Sequence, residues 1–109
     1  MIDIEKYDDN NIFAKILKKE IPCNKIYEDE HSLFFNDINP QAKIHVLGIP
    51  KTQCVDYSDF ISLSDPKIIV AFFQSVNLVI EQLNIASKGY RIITNSGKDG
   101  GQEVPHFHI

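Results

Sequence analysis

The sequence predicts an α+β fold, with an antiparallel sheet of about five strands, one short N-terminal helix and one long helix in the order αβββαββ. Three observations carry this expectation. Apolar residues from Ile68 to Leu83 recur with the helical period. Short segments rich in β-branched and aromatic residues, parted by turn residues, fill the stretch from Lys25 to Pro50. A glycine-rich turn near the C-terminus leads into a segment whose histidines alternate with apolar residues, which is the period of a strand.

Each element has its own signal. Asp8-Asp9-Asn10-Asn11 offers caps for a helix whose apolar face is Ile12, Phe13, Ile16 and Leu17, and Pro22 predicts a stop near Glu20. Lys25 to Glu28, a turn at Asp29-Glu30, and Ser32 to Asp37 read as a β-hairpin closed by Asn39-Pro40. Ile44 to Pro50 is almost wholly apolar and reads as a central strand. Residues 52–64 read as a connection with a short helical turn at most. Asp65 can cap and Pro66 suits the first helical position, so the long helix starts there and carries Ile68, Ile69, Phe72, Phe73, Val76, Val79, Ile80 and Leu83. Gly89 opens a strand over Tyr90 to Asn95, and the Ser96 to Gly101 loop joins it to the histidine segment as a hairpin.

Composition narrows the function. A chain of 109 residues with 43% hydrophobic content fits one domain, and a domain of that size buries roughly two-thirds of its unfolded surface. Scattered lysines and a net charge of −4 exclude a nucleic-acid backbone track but leave room for a small nucleotide. Cys23 and Cys54 lack the spacing of a zinc knuckle or a disulfide framework, so reduced thiols in a cytoplasmic protein are expected. Met1 to Lys6 is too acidic for a secretion signal, and no apolar run reaches the ~18 residues of a membrane span.

The chemistry is expected in the last ten residues, Gly100 to Ile109. If that segment is extended, His106 and His108 share one face while Phe107 and Ile109 fill the core on the other. A neutral imidazole can attack phosphorus, and a second one nearby can hold its tautomer or protonate a leaving group. Backbone N–H groups after Gly101 and the Asn95 amide are candidate oxyanion donors.

The segment ending Gly101-Gln102-Glu103-Val104-Pro105-His106-Phe107-His108-Ile109 resembles the signature of the histidine triad (HIT) family, in which histidines alternate with apolar residues after a glycine-glutamine turn. Ile12 to Pro22, Phe35 to Ala42, His45 to Lys51, and Gly89 to Ile92 with Asn95 resemble further blocks of its Hint branch, in the same order. The resemblance runs from about Asn11 to Ile109. It implies a HIT-like fold and one HIT domain over residues 1–109. The family's third histidine, its following strand and tail have no counterpart up to Ile109, so the C-terminal end of the family domain is expected to be missing.

The resemblance also implies roles. His108 would be the nucleophile that forms a nucleotidyl-histidine intermediate, His106 would fix the tautomer and packing of that site, and His45 would be the extra Hint-branch histidine close by. Asp37 would accept the ribose hydroxyls, as a carboxylate can from two vicinal donors. Asn36, where relatives often carry histidine, falls at the ribose or base. Ile12, Phe13, Ile16, Phe35 and Ile38 would wall the purine. Asn95, Gly101, Gln102, Glu103 and Val104 would surround the phosphate, Glu103 and Val104 through backbone N–H groups, with the Glu103 side chain turned away.

Rival readings stand beside these. The apolar wall residues are core by default, Asp37 can cap a turn, and His45 in an apolar strand can be a hydrogen-bonded core histidine. His45, His106 and His108 match the ligand count of a catalytic zinc, but the Hint branch works without metal, and no cofactor is expected. The implied function is hydrolysis of purine nucleoside monophosphate derivatives such as adenosine phosphoramidates, with an AMP- or GMP-like ligand and a symmetric homodimer. Dinucleoside polyphosphate hydrolysis, or a non-catalytic nucleotide-binding or interaction module, are the alternatives. The homodimer would pair the long helix and the Gly89 to Asn95 strand across a two-fold axis. Ile69, Phe73 and Val76 exceed what one inward stripe needs, which is compatible with that pairing.

Overall fold

Asn11 starts the first helix by turning its side-chain oxygen onto the Ala14 N–H at 2.8 Å, while its own amide donates to the Asp8 carbonyl. The computed structural model describes residues 5–109; the stretch before Glu5, read above for a targeting signal, lies outside the described residues. Helix α1 spans Ile12–Leu17 and buries Phe13, Ala14 and Ile16. It ends sooner than the proline predicts, because the chain closes a Schellman turn first. Glu20 N–H reaches the Lys15 carbonyl, Lys19 N–H reaches that of Ile16, and Lys19 takes a left-handed φ of 64°. Glycine holds that conformation without a Cβ penalty. Lys19→Gly is therefore expected to raise stability by about 1 kcal/mol, read as a higher denaturation midpoint; an unchanged or lower midpoint would contradict it.

Strands β1 (Lys25–Glu28), β2 (Ser32–Asn36) and β3 (Val46–Pro50) form an antiparallel sheet in the order β1-β2-β3. Asp29 shapes the first turn: one carboxylate oxygen accepts from His31 N–H, Ser32 N–H and the Ser32 hydroxyl, and the other accepts from Ser75. β2 is the central strand and is buried on both faces. Leu33 and Phe35 meet Phe13, Ile16 and Ile49 on the α1 side, whereas Phe34 meets Phe60, Phe72 and Phe107 on the other. The apolar run 44–50 was expected to be central; in this ladder it is the flank of β2 instead.

Helices α2 (Tyr57–Leu63) and α3 (Pro66–Gln82) cover the second face. Asp56 and Asp65 cap them by accepting from Asp59 N–H and Lys67 N–H. The inward stripe of α3 is Phe72, Ser75, Val76, Val79 and Ile80. Val76 thus belongs to the core, and the outward apolar residues are Val70, Phe73 and Leu78.

Three strands form a regular ladder, not the five expected. Residues 90–95 run exposed and, among the described residues, make no backbone hydrogen bond. The histidine segment joins the free side of β3 through one reciprocal pair, Gly48 N–H to Ile109 O at 2.9 Å and Ile109 N–H to Gly48 O at 3.0 Å. One pair is too few for a ladder. It does suffice, with Phe107 N–H on the Cys54 carbonyl, to dock the segment on the sheet.

Candidate functional site

Phe107 and Ile109 face the aromatic cluster, and His106 and His108 face the other way toward α1, as alternation predicts. Phe107 is 1% exposed and stacks on Phe60 at 4.9 Å between ring centroids. Gly48 makes room for this arrangement, since a Cβ there would collide with the Phe34 ring.

The histidine tautomers follow from their partners. His106 Nε2 lies 2.8 Å from the Pro50 carbonyl, which can only accept, so Nε2 carries the proton. Its Nδ1 lies 2.9 Å from the Tyr7 hydroxyl. His106 is fully buried, and burial pushes its pKa down to about 4, with the Pro50 bond opposing that shift and His108 adding to it. The ring is therefore neutral at physiological pH, and Tyr7 donates to its Nδ1. His108 Nδ1 lies 2.7 Å from the His106 carbonyl and so carries its own proton toward it. His108 Nε2 is left with a bare lone pair. Burial lowers the His108 pKa, while the His106 carbonyl bond and the Asp37 charge raise it. Phe13 stands edge-on to the His108 ring, 4.8 Å between centroids.

The depressed His106 value makes stability depend on pH. The unfolded chain takes up a proton near 6.5 and the folded chain only near 4. The His106 contribution is thus complete above about 6.5 and falls away as pH drops toward about 4, a loss of about 3 kcal/mol. His108 adds in the same direction. Chemical denaturation between pH 7.5 and 4 checks this, and a flat profile would contradict it.

Asp37 and His45 form a pair. His45 Nδ1 accepts from the Gln41 N–H at 2.9 Å, so its Nε2–H faces Asp37 Oδ2 at 3.3 Å; Asp37 Oδ1 accepts from Asn39 N–H. Asp37 is near enough to His108 for its charge to act there, and a carboxylate engaged by two donors still has lone pairs for a ligand hydroxyl. The three-histidine ligand set weighed above is not assembled, because His45 points to Asp37 and both His106 nitrogens have partners.

The apolar wall divides. Phe13, Ile16 and Phe35 are buried in one cluster with Val104 packed on it, whereas Ile12 is 41% and Ile38 82% exposed. The former are core residues, and the latter stand at the surface. Asn36 ends β2 at partial exposure, with its N–H on the Asn24 carbonyl.

The glycine-rich loop expected at the phosphate also divides. Gly101 (φ 77°) and Gly97 (φ 72°) both adopt positive φ, and at Gly100 a Cβ would strike the Ser96 backbone. Gln102, expected at the phosphate, has its amide engaged within the protein. Its buried amide donates to the Val55 and Val104 carbonyls and accepts from Gly97 N–H, and its own N–H reaches the Gly97 carbonyl. Asn95 likewise folds back, donating to the Gly100 carbonyl at 2.7 Å. Among the described residues the N–H groups of Glu103 and Val104 have no intramolecular acceptor, and Glu103 is exposed. Two further side chains belong to this arrangement without any motif to flag them: Tyr7 on His106, and Thr94, whose hydroxyl donates to the His108 carbonyl at 2.8 Å.

The HIT domain family model matches residues 18–109. The chain is 50% identical over 103 residues to an uncharacterized 13.2 kDa HIT-like protein of Azospirillum brasilense, covering 94% of this chain and 84% of that one. It is 37% identical over 101 residues to the purine nucleoside phosphoramidase of Escherichia coli K12, covering 93% and 84%. A solved HIT family hydrolase from Clostridium thermocellum superposes with a TM-score of 0.84 at 44% identity, covering 93% of this chain and 87% of that one.

Proposed function

The chain belongs to the HIT domain family, and from that premise we propose that it is a nucleotide-binding hydrolase of purine nucleoside monophosphate derivatives, of the adenosine phosphoramidate type, acting through a nucleotidyl-histidine at His108. The observation that carries this reading is the His108 tautomer, whose proton is held on Nδ1 by the His106 carbonyl while Nε2 is free. In the reaction Nε2 attacks the α-phosphorus and the bond to the leaving amine breaks, its electron pair departing with the amine, which takes up a proton. Water then attacks the same phosphorus, releasing the nucleoside monophosphate and restoring the imidazole. Glu103 and Val104 N–H groups donate to the phosphate oxygens, and Asp37, steadied by His45, accepts the ribose hydroxyls. Ile12 and Ile38 close over the base above Phe13.

The named activity of the Escherichia coli relative supports the phosphoramidate class over the dinucleoside polyphosphate class. A homodimer belongs to the same reading. Val70, Phe73 and Leu78 on α3 and Tyr90, Ile92 and Ile93 on the unpaired segment are all exposed, an apolar surface of the kind a second copy covers. Two free thiols, Cys23 and Cys54, agree with a cytoplasmic, reducing setting. Calorimetric titration with AMP and GMP, followed by intact mass of the chain quenched during turnover of an adenosine phosphoramidate, tests the proposal. Saturable binding and an adenylyl adduct on His108 are expected; no binding of either nucleotide would overturn it.

A further inference from the structure

Tyr7 lies 99 positions from His106, yet its hydroxyl reaches His106 Nδ1 at 2.9 Å and the two rings pack at 5.5 Å between centroids. Both nitrogens of this buried ring are therefore held, one by Pro50 and one by Tyr7. We propose that Tyr7 is a positioning residue: by donating to His106 Nδ1 it holds that buried imidazole still, so that the residue 106 carbonyl holds the His108 proton on Nδ1 and leaves Nε2 free to attack. The role in turnover rests on the hydrolase reading above; the clamp on His106 does not.

The physical case has two parts. A ring bonded at one nitrogen can swing about that bond, whereas a ring bonded at both cannot, and residue 106 carries the carbonyl on which the His108 tautomer depends. A donor on the bare Nδ1 also completes the hydrogen bonding of the neutral ring, and the hydroxyl must turn and accept before that nitrogen can hold a proton. Tyr7 is a competent donor because burial pushes its phenol above the ordinary value, the Asn11 hydrogen bond working against that and the Asp9 charge with it. The titratable groups facing His106 are Tyr7 and His108; Asp9 and Cys54 stand behind Tyr7, and Asp37 acts on His108. Without the hydroxyl, Nδ1 has no partner whether bare or protonated, so both the seating of the ring and its proton affinity change.

The test uses Tyr7→Phe in the full chain, with Gln53→Ala as control. Gln53 donates to Asp9, in the same N-terminal segment as Tyr7, at 3.0 Å. Ring ¹⁵N resonances followed against pH should show the His106 midpoint moving by about one pH unit, a tenfold change in proton affinity, in Tyr7→Phe and staying put in Gln53→Ala. With an adenosine phosphoramidate, kcat of Tyr7→Phe should fall on the order of tenfold with KM unchanged. An unmoved midpoint in Tyr7→Phe, or an equal shift in Gln53→Ala, overturns the clamp. A moved midpoint with full kcat overturns its part in turnover. A moved midpoint in a chain whose parent shows no turnover leaves the clamp standing and defeats the hydrolase reading.

Discussion

His108→Ala is expected to lower kcat for an adenosine phosphoramidate by roughly a thousandfold or more, because it removes the atom that forms the covalent bond rather than one that assists it. That corresponds to about 4 kcal/mol of transition-state stabilisation. Binding should suffer far less, since the ribose, base and phosphate contacts proposed here belong to Asp37, Ile12, Ile38 and the Glu103 and Val104 N–H groups. The split between kcat and affinity is the discriminating readout. Rapid quench in neutral denaturant should yield an adenylyl adduct on the parent chain and none on the variant. A His108→Ala chain that keeps kcat within tenfold of the parent would remove His108 from the nucleophile role.

Much of this geometry is legible in the residues themselves. Asp65-Pro66 followed by a helical stripe marks α3, and the β-branched and aromatic segments around the Asp29 and Asn39-Pro40 turns mark β1 to β3, because local propensity and packing agree there. Alternation alone puts His106 and His108 opposite Phe107. What could not be read depends on contacts far apart in the chain. The Gln102 amide is claimed by Val55, 47 positions away, so a residue expected at the phosphate turns out to tie down the loop beneath it. Tyr7 reaches His106 across almost the whole chain, and no spacing announces such a bond. Lys19 in the left-handed region ends α1 where a glycine would have been the signal. The segment 90–95 has strand composition, but composition does not supply a partner, and a strand without one is only an extended chain.

Phe107→Ala is expected to have the largest effect on stability, and its mechanism is distinct from that of His108→Ala. Phe107 is almost fully buried and packs against three aromatic rings at once, Phe60 at 4.9 Å, Phe72 at 5.8 Å and Tyr57 at 6.0 Å between centroids, with Phe34 stacked on Phe72. Truncating such a side chain loses its transfer free energy and leaves a cavity that packed helices cannot close, a cost of about 3–5 kcal/mol. For a chain of this size that is a fall of roughly 15 °C or more in Tm. Phe107→Leu keeps most of the volume and should cost less than about 2 kcal/mol. The same side chain is the anchor between the two histidines, so an Ala variant that stays folded below its lowered Tm should also lose turnover, and Leu should restore it. His108→Ala, by contrast, should lose turnover with little change in Tm. Equal Tm values for Phe107→Ala and the parent would mean that the histidine segment is not seated on this core, and the tautomer argument for His108 would lose its footing.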